Sequence, residues 1–138
     1  MSTRTIFLSR LLGLYFLLIA LSMVTHKQVT IDMVVALVHN APLLFFMGIV
    51  IVAAGLAIVL THNIWSGRAL PITVTILGWL ALLKGLFFLF LPPAAASDFY
   101  LVTLHYAQYF YFYASFTLVL GAYLTYSGFA SISRIPRS

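Results

Sequence analysis

Long apolar segments alternate with short polar segments along the whole chain. The apolar segments cover about residues 6–24, 43–61, 70–91 and 99–127. Each of them reaches the roughly 20 residues that a helix needs to cross the hydrocarbon core of a bilayer. The pattern therefore predicts four membrane-spanning helices.

The prolines predict where two of these helices begin. Pro42 interrupts the mostly apolar stretch 30–60, because proline removes a helix hydrogen bond and disfavours helical backbone at the residue before it. We therefore expect a short helix over about residues 30–40, lying in the membrane interface before the second span. Pro71 is expected in the first turn of the third span, where proline is tolerated.

The fold class follows from this periodicity. The apolar runs lack the strict alternation of a transmembrane barrel strand, and helices satisfy their own backbone groups in lipid. The prediction is an all-α, polytopic membrane protein that forms one domain over residues 1–138. It is a four-transmembrane-helix bundle with a short interfacial helix before the second span.

Composition agrees with a membrane environment. The chain is 64% hydrophobic and 7% charged, whereas a soluble domain is about 45–50% apolar and about 25% charged. Such a chain does not have enough polar residues to cover its own surface in water. The lipid bilayer is therefore its expected partner.

The basic residues indicate orientation and do not indicate nucleic-acid binding. The net charge is +5, but most cations stand singly near the ends of apolar runs. In a four-span topology Lys27 is the only loop cation on one side, and the other side holds Arg4, Arg10, Arg68, Arg134 and Arg137. An excess of cations marks the cytosolic side. We therefore expect a multi-pass protein of the cytoplasmic (inner) membrane with both termini in the cytosol and no nucleic-acid partner.

Small residues recur every seven positions, which is typical of helix-packing seams in membranes. The residues that form these predicted seams are Gly13, Ala20, Gly48, Gly55, Gly78, Gly85, Ala107, Ala114, Gly121 and Gly128. The spacing does not say whether the partner helix belongs to the same chain. A homo-oligomer or a larger membrane complex is the expected assembly.

One charge lies inside an apolar run. Lys84 stands eight residues before Pro92 in the third predicted span, and a lysine at membrane depth costs roughly 2.5–3.5 kcal/mol on insertion scales. Other polar residues are predicted at a similar depth or above the second span. The candidate ligand-binding group is Lys84, His105, Gln108, Tyr109, His39 and Asn40.

Two interpretations of this group stay open at the sequence level. In the first, Lys84 extends along the apolar surface towards the interface while the others bond neighbouring helices. In the second, the group lines a small outward-facing cavity that holds an anion and relays protons through His105. The only acids, Asp32 and Asp98, are both predicted near the outer interface.

The sequence contains few residues suited to catalysis or metal binding. The chain has no cysteine and only two acids, which disfavours thiolate and carboxylate catalysis. No histidine pair has the spacing of a helix-borne metal site; a haem between His39 and His105 is the remaining alternative. We expect no metal, no other cofactor and no enzymatic activity.

Two short patterns resemble known membrane proteins. Arg10-Leu11-Leu12-Gly13-Leu14-Tyr15-Phe16 and the segment 48–56 are similar to DoxX-like proteins. That resemblance implies a small four-helix bacterial membrane protein; some relatives are linked to membrane redox or sulfur metabolism. The chain departs from that family at Ala20 and Met23, where a small-residue turn and a lysine are usual, and lacks its acidic residue in helix two. Separately, the pairs Gly78-Trp79 and Lys84-Gly85, with residues 62–65, resemble uncharacterised small bacterial membrane proteins.

The expected function is a non-enzymatic membrane subunit that self-associates or joins a larger complex. One alternative is a channel or transporter for a small anion or protons that uses Lys84 and His105. Another, which the DoxX-like resemblance implies, is a quinone- or lipid-binding redox accessory.

Overall fold

The computed structural model describes residues 2–103, 105 and 108–130, without the side chains of 93, 100 and 103. These residues are helical in most places and contain no strand. The helices are α1 Thr3–Thr25, α2 Lys27–Val38, α3 Ala41–Thr61, α4 Ala69–Phe90, α5 Pro93–Asp98 and α6 Phe110–Ala130. A π-helical segment, Phe99–Thr103, follows α5 directly.

Three helices are long and apolar enough to cross a membrane. They are α1, α3 and α4, with 23, 21 and 22 residues. Helix α6 also has 21 residues, but its tyrosines lower its hydropathy and it is not among these three. The all-helical class and the membrane character of the chain therefore rest on α1, α3 and α4.

The break before α3 has a local cause. Helix α2 ends at Val38, and α3 begins at Ala41 with Pro42 in its first turn. The Asn40 side chain caps α3, because its Oδ1 accepts a hydrogen bond from the Leu43 N–H at 3.1 Å. Such a cap satisfies one of the amide groups that a helix start leaves without a partner.

The segment 99–127, predicted as one span, is divided in the structure. The π-helical segment ends at Thr103, and α6 begins only at Phe110. Between them, His105 has a φ of 47°, a left-handed conformation that a continuous right-handed helix does not contain. The regular helix within this segment therefore begins at Phe110 and continues to Ala130.

Helices α1 and α6 pack against each other along their length and run antiparallel. Met23 packs near the start of α6 against Phe110, while the Ser9 hydroxyl donates to the Leu124 carbonyl near its end. The backbones approach most closely at Gly13, where an added Cβ would lie 2.5 Å from the Thr125 nitrogen. Only glycine permits that approach.

Helices α3 and α4 form the second antiparallel pair. An added Cβ on Gly55 would lie 2.6 Å from the Leu82 nitrogen, and one on Gly85 would lie 2.7 Å from the Val52 nitrogen. The residues of the predicted seams that the structure describes are all buried, namely Gly13, Ala20, Gly48, Gly55, Gly78, Gly85, Ala114, Gly121 and Gly128. Their glycines face helices of the same chain. Ala107 lies outside the described residues.

The two pairs meet differently at the two ends of the bundle. At the end with Arg4 and Arg68, here called the arginine end, α1, α3, α4 and α6 share one apolar cluster around Val74 and Leu124. At the end with Asp32 and Asp98, here called the acidic end, α2 is inserted between the pairs. Its Ile31 packs with residues of α1 and α6, and its Leu37 packs on residues of α3, α4 and α5.

Candidate functional site

The predicted ligand-binding group is not gathered around Lys84. The Lys84 side chain is exposed, and its Nζ lies 5.7 Å from the centre of the Phe88 ring, one turn nearer the acidic end. No ion pair, hydrogen bond or ring contact of the described residues joins Lys84 to His105, Gln108 or Tyr109. An ammonium displaced towards the nearer helix end is the geometry of a snorkelling lysine.

His39 and Asn40 shape the connection between α2 and α3. The His39 Nδ1–H donates to the Val35 carbonyl at 2.7 Å, so its Nε2 is free to accept from the Ser97 hydroxyl at 3.2 Å. Asn40 caps α3 as described above. Both residues therefore hold the acidic end of the fold together.

His105, Gln108 and Tyr109 lie in the turn that leads into α6. The His105 and Tyr109 rings are 6.1 Å apart in an edge-to-face contact, and the Tyr109 N–H donates to the His105 carbonyl at 3.0 Å. All three side chains are exposed. These three side chains lie at the surface and apart from Lys84. A ligand-binding role for the group therefore stays a prediction.

A different polar cluster is buried at the arginine end. It consists of Thr5 on α1, His62 directly after α3 and Thr75 on α4, which are 0%, 3% and 0% exposed. The Thr5 Oγ1 lies 2.8 Å from His62 Nε2, and the Thr75 Oγ1 lies 3.1 Å from His62 Nδ1. One imidazole thus connects α1, α3 and α4. The outermost members of the cluster, Thr5 and Thr75, are 70 positions apart in the sequence.

The hydroxyl partners determine which imidazole nitrogen carries the proton. The single Thr75 hydroxyl proton is donated to the Pro71 carbonyl at 3.0 Å, and its oxygen accepts from the Ile64 N–H at 3.0 Å. Thr75 can therefore only accept from His62, so Nδ1 is protonated. In a neutral imidazole Nε2 then accepts from the Thr5 hydroxyl, which in turn accepts from Ser2 at 2.8 Å.

The electrostatics of this cluster favour the neutral imidazole. Burial lowers the pKa of His62 below its ordinary value. A cation lies close by: the Arg4 guanidinium is 3.5 Å from the Thr61 carbonyl, and Arg4 and His62 line the same shallow depression of about 410 Å³. Asp32 and Asp98 lie at the acidic end, so neither of these carboxylates stands beside the imidazole to stabilise an imidazolium.

Next to this cluster, the α3–α4 connection folds back along α4. The Asn63 Oδ1 accepts from the indole N–H of Trp65 at 2.6 Å and from that of Trp79 at 3.4 Å. Together with the bond from Ile64 to Thr75, these contacts fasten the loop to the side of α4. Tryptophans of this kind are enriched where a membrane protein meets the interface.

Arg10 occupies a half-buried position between α1 and α6. Its Nε donates to the Gly128 carbonyl at 3.1 Å, and its guanidinium lies 4.5 Å from the centre of the Phe129 ring. The carbonyl and the aromatic face both offer negative potential to a cation. Arg10 therefore fastens the end of α6 to α1 near the arginine end.

Thr5, His62 and Thr75 were not predicted from the sequence to form a group. A usable signal exists: Thr75 is a hydroxyl residue in an apolar helix, and His62 follows an apolar run directly. Neither residue indicates the other, because their contact depends on how α3 and α4 pack. Thr5 joins this network only because α1 packs beside His62 and Thr75 in the folded protein.

The contacts in these arrangements hold helices together. The buried cluster has one titratable group, and its hydroxyls are engaged in hydrogen bonds. Across the described ranges, no three residues of the types that bind metals are grouped to hold an ion. The cluster can hold helices together, and protonation is the one chemical change available to it.

Comparison with protein-family models, with curated proteins and with solved structures gives no match to this chain. The resemblance to DoxX-like proteins therefore stays a prediction.

Proposed function

We propose that the protein is a non-enzymatic integral membrane protein that crosses the bilayer four times and self-associates through the exposed face of α4 that carries Lys84. The observation that carries the proposal is the exposed Lys84 side chain, which has no ion pair among the described residues and lies on a helix that is apolar enough to span. Intramembrane cations generally have a partner or a function.

Four spans are supported by the length and the packing of α6. Its 21 residues extend about 31 Å at 1.5 Å per residue, and it packs along α1, which is a candidate span. Arg4 and Arg68 lie at the arginine end, so the positive-inside rule places that end and both termini in the cytosol. In this arrangement α2 lies at the outer interface of a bacterial cytoplasmic membrane.

The small-residue seams do not provide the proposed interface. The glycines of α1 and α6 face each other's helices, as do those of α3 and α4, so these seams are already occupied within one chain. An interface between copies must use another surface. Beside Lys84, α4 exposes a stripe formed by Ile76, Leu80 and Leu83.

A second copy supplies the charge that Lys84 lacks. Lys84 lies six residues before the end of α4 at Phe90, which is about 9 Å, and its ammonium points towards the acidic end. Asp32 and Asp98 are exposed at that end. Asp98 has no hydrogen bond or ion pair among the described residues. In a two-fold dimer each Lys84 would face the Asp98 of the other copy.

The test is native mass spectrometry of the protein in nanodiscs, with charge variants. We expect a dimer that Lys84→Met weakens, that Lys84→Asp abolishes, and that Lys84→Asp combined with Asp98→Lys restores. Val119→Ile, a conservative change at an exposed position of α6 outside the proposed interface, is the control and should leave the dimer intact.

Three results would overturn the proposal. A monomer at every concentration would exclude self-association, and a photo-cross-link from position 84 to a different acidic membrane protein would replace it with an accessory-subunit role. A dimer indifferent to all Lys84 variants would exclude this face as the interface.

A further inference from the structure

The buried Thr5–His62–Thr75 cluster is arranged so that one proton decides whether it holds. We propose that His62 is an acid-sensitive latch at the arginine end, which fastens α1, α3 and α4 when its imidazole is neutral and releases the α3–α4 connection when the imidazole is protonated. This inference rests on the burial of the cluster between three helices and on the charges around it, and it does not depend on self-association.

The first step is the direction of the hydrogen bonds. Thr75 has no proton left for His62 because its hydroxyl is donated to Pro71, and it receives the Ile64 N–H as well. The run from Ser2 through Thr5 and His62 to Thr75 therefore has one consistent order of donors and acceptors. It requires a lone pair on Nε2.

The second step is the effect of a proton at Nε2. A proton at Nε2 turns this nitrogen from an acceptor into a donor, so the Thr5 oxygen must accept from it and the Thr5 hydroxyl must donate to the Ser2 oxygen instead. That oxygen also accepts from the Thr5 N–H at 3.2 Å as the N-cap of α1. Protonation therefore reverses the order of donors and acceptors between His62 and Ser2, and the cost that opens the latch is that of the buried charge.

The third step is the surroundings of the charge. From α1 the nearby ionisable group is Arg4, which lines the same depression; from α4 the facing groups are Thr75 and Pro71, which do not titrate. Both acids are at the acidic end, across the bundle. The imidazolium would be a buried cation beside an arginine, and exposure of His62 to water relieves that cost.

The element that protonation would release is the α3–α4 connection, and few contacts hold it in place. The α3–α4 connection is fastened to α4 by the Ile64 N–H on Thr75 and by Asn63 with the two indoles. Gly67 has a φ of 97° and nothing lies within 4 Å of an added Cβ there. The connection therefore has a flexible, uncrowded residue on one side and the His62 latch on the other.

The experiment measures hydrogen–deuterium exchange of the Ile64 amide in nanodiscs, because that amide is bonded inside the latch. Protection is corrected for the intrinsic exchange rate at each pH, and amides in the middle of α3 serve as the internal reference. If the open state titrates near the ordinary histidine pKa of about 6.5, protection of Ile64 should fall about tenfold between pH 7.5 and pH 5.5. The α3 reference should not change.

The matched variant is His62→Gln, whose amide offers one donor and one acceptor without titrating. Its Ile64 protection should be independent of pH. Equal protection of Ile64 at the two pH values in the wild-type protein would overturn the latch, and so would an unchanged pH response in the variant.

A second measurement decides the matter if the variant does not fold. Imidazole ¹⁵N shifts of the wild-type protein report the tautomer and the titration of His62. The latch requires the Nδ1-protonated form at pH 7.5 and protonation together with the loss of Ile64 protection. An Nε2-protonated tautomer would overturn it.

Discussion

The hydroxyl of Ser9 donates a hydrogen bond of 2.7 Å to the carbonyl of Leu124, a residue 115 positions later in the chain. Both residues are fully buried. The first and last helices of the protein are thus joined by a polar contact inside an apolar interface. It lies in the same stretch of interface as the Arg10 contact with Gly128.

Removal of the Ser9 hydroxyl should weaken the α1–α6 pair by a small amount. Hydrogen bonds between membrane helices average about 0.6 kcal/mol and reach about 1.7 kcal/mol in double-mutant cycles. We expect Ser9→Ala to lower the free energy of unfolding within that range, measured by SDS titration of the purified protein. Ser115→Ala, at an exposed position of α6, is the control; an equal loss there would contradict a specific role for Ser9.

Helix α3 should not tolerate a side chain at Gly55. The Cβ of Gly55→Ala would lie 2.6 Å from the Leu82 nitrogen and 2.8 Å from its Cα, so the two helix backbones must separate. Overpacking of this kind costs about 1–3 kcal/mol. Thermal unfolding in detergent would show it, and Ala54→Leu, which enlarges an exposed residue of the same helix, should leave the midpoint unchanged.

A comparison of two threonines of α4 distinguishes the stabilising role of the buried cluster from the effect of a threonine bond within the helix. Thr75 and Thr73 both donate to the carbonyl four residues earlier, at 3.0 and 2.9 Å. Only Thr75 also accepts from His62 and Ile64. Thr75→Val leaves two buried donors unsatisfied and should cost about 1–3 kcal/mol. Thr73→Val should cost much less; similar losses would show that the cluster adds no stability.

Stability should depend on pH through His62. Burial lowers the pKa of His62 in the folded state, so below the ordinary histidine pKa of about 6.5 the unfolded state binds more protons than the folded state. The free energy of unfolding should therefore be highest above that pH and decrease as the pH falls. Unfolding titrations at pH 8 and pH 5 test the sign, and His62→Gln should remove most of the difference. The other described histidines are exposed.

The topology can be tested directly because the chain has no cysteine. A cysteine at Ser66, in the connection at the arginine end, should be protected from a membrane-impermeant maleimide in intact cells. A cysteine at Ala94, at the acidic end, should react. The reverse labelling would place the termini outside the cytosol, and equal reaction at both sites would exclude a spanning arrangement.

The hydropathy pattern predicted the helices well wherever local chemistry determines them. Apolar runs of bilayer length, Pro42 with its capping Asn40, and Pro71 in the first turn of α4 are all local signals, and the structure has helix boundaries there. The segment 99–127 was less predictable. It is aromatic on nearly all faces, and nothing local indicates that the backbone at His105 turns left-handed.

By itself, the sequence determined the helical class, the apolar character of α1, α3 and α4, and the gathering of arginines at one end. These properties depend on composition and on the spacing of neighbouring residues. Only the tertiary structure decided which helices the small residues face, that Lys84 stays apart from His105, and that His62 lies between Thr5 and Thr75. The physical reason is that lipid favours no particular pairing of apolar helices. Partner choice then depends on close backbone approach and buried hydrogen bonds, which exist only when distant segments meet.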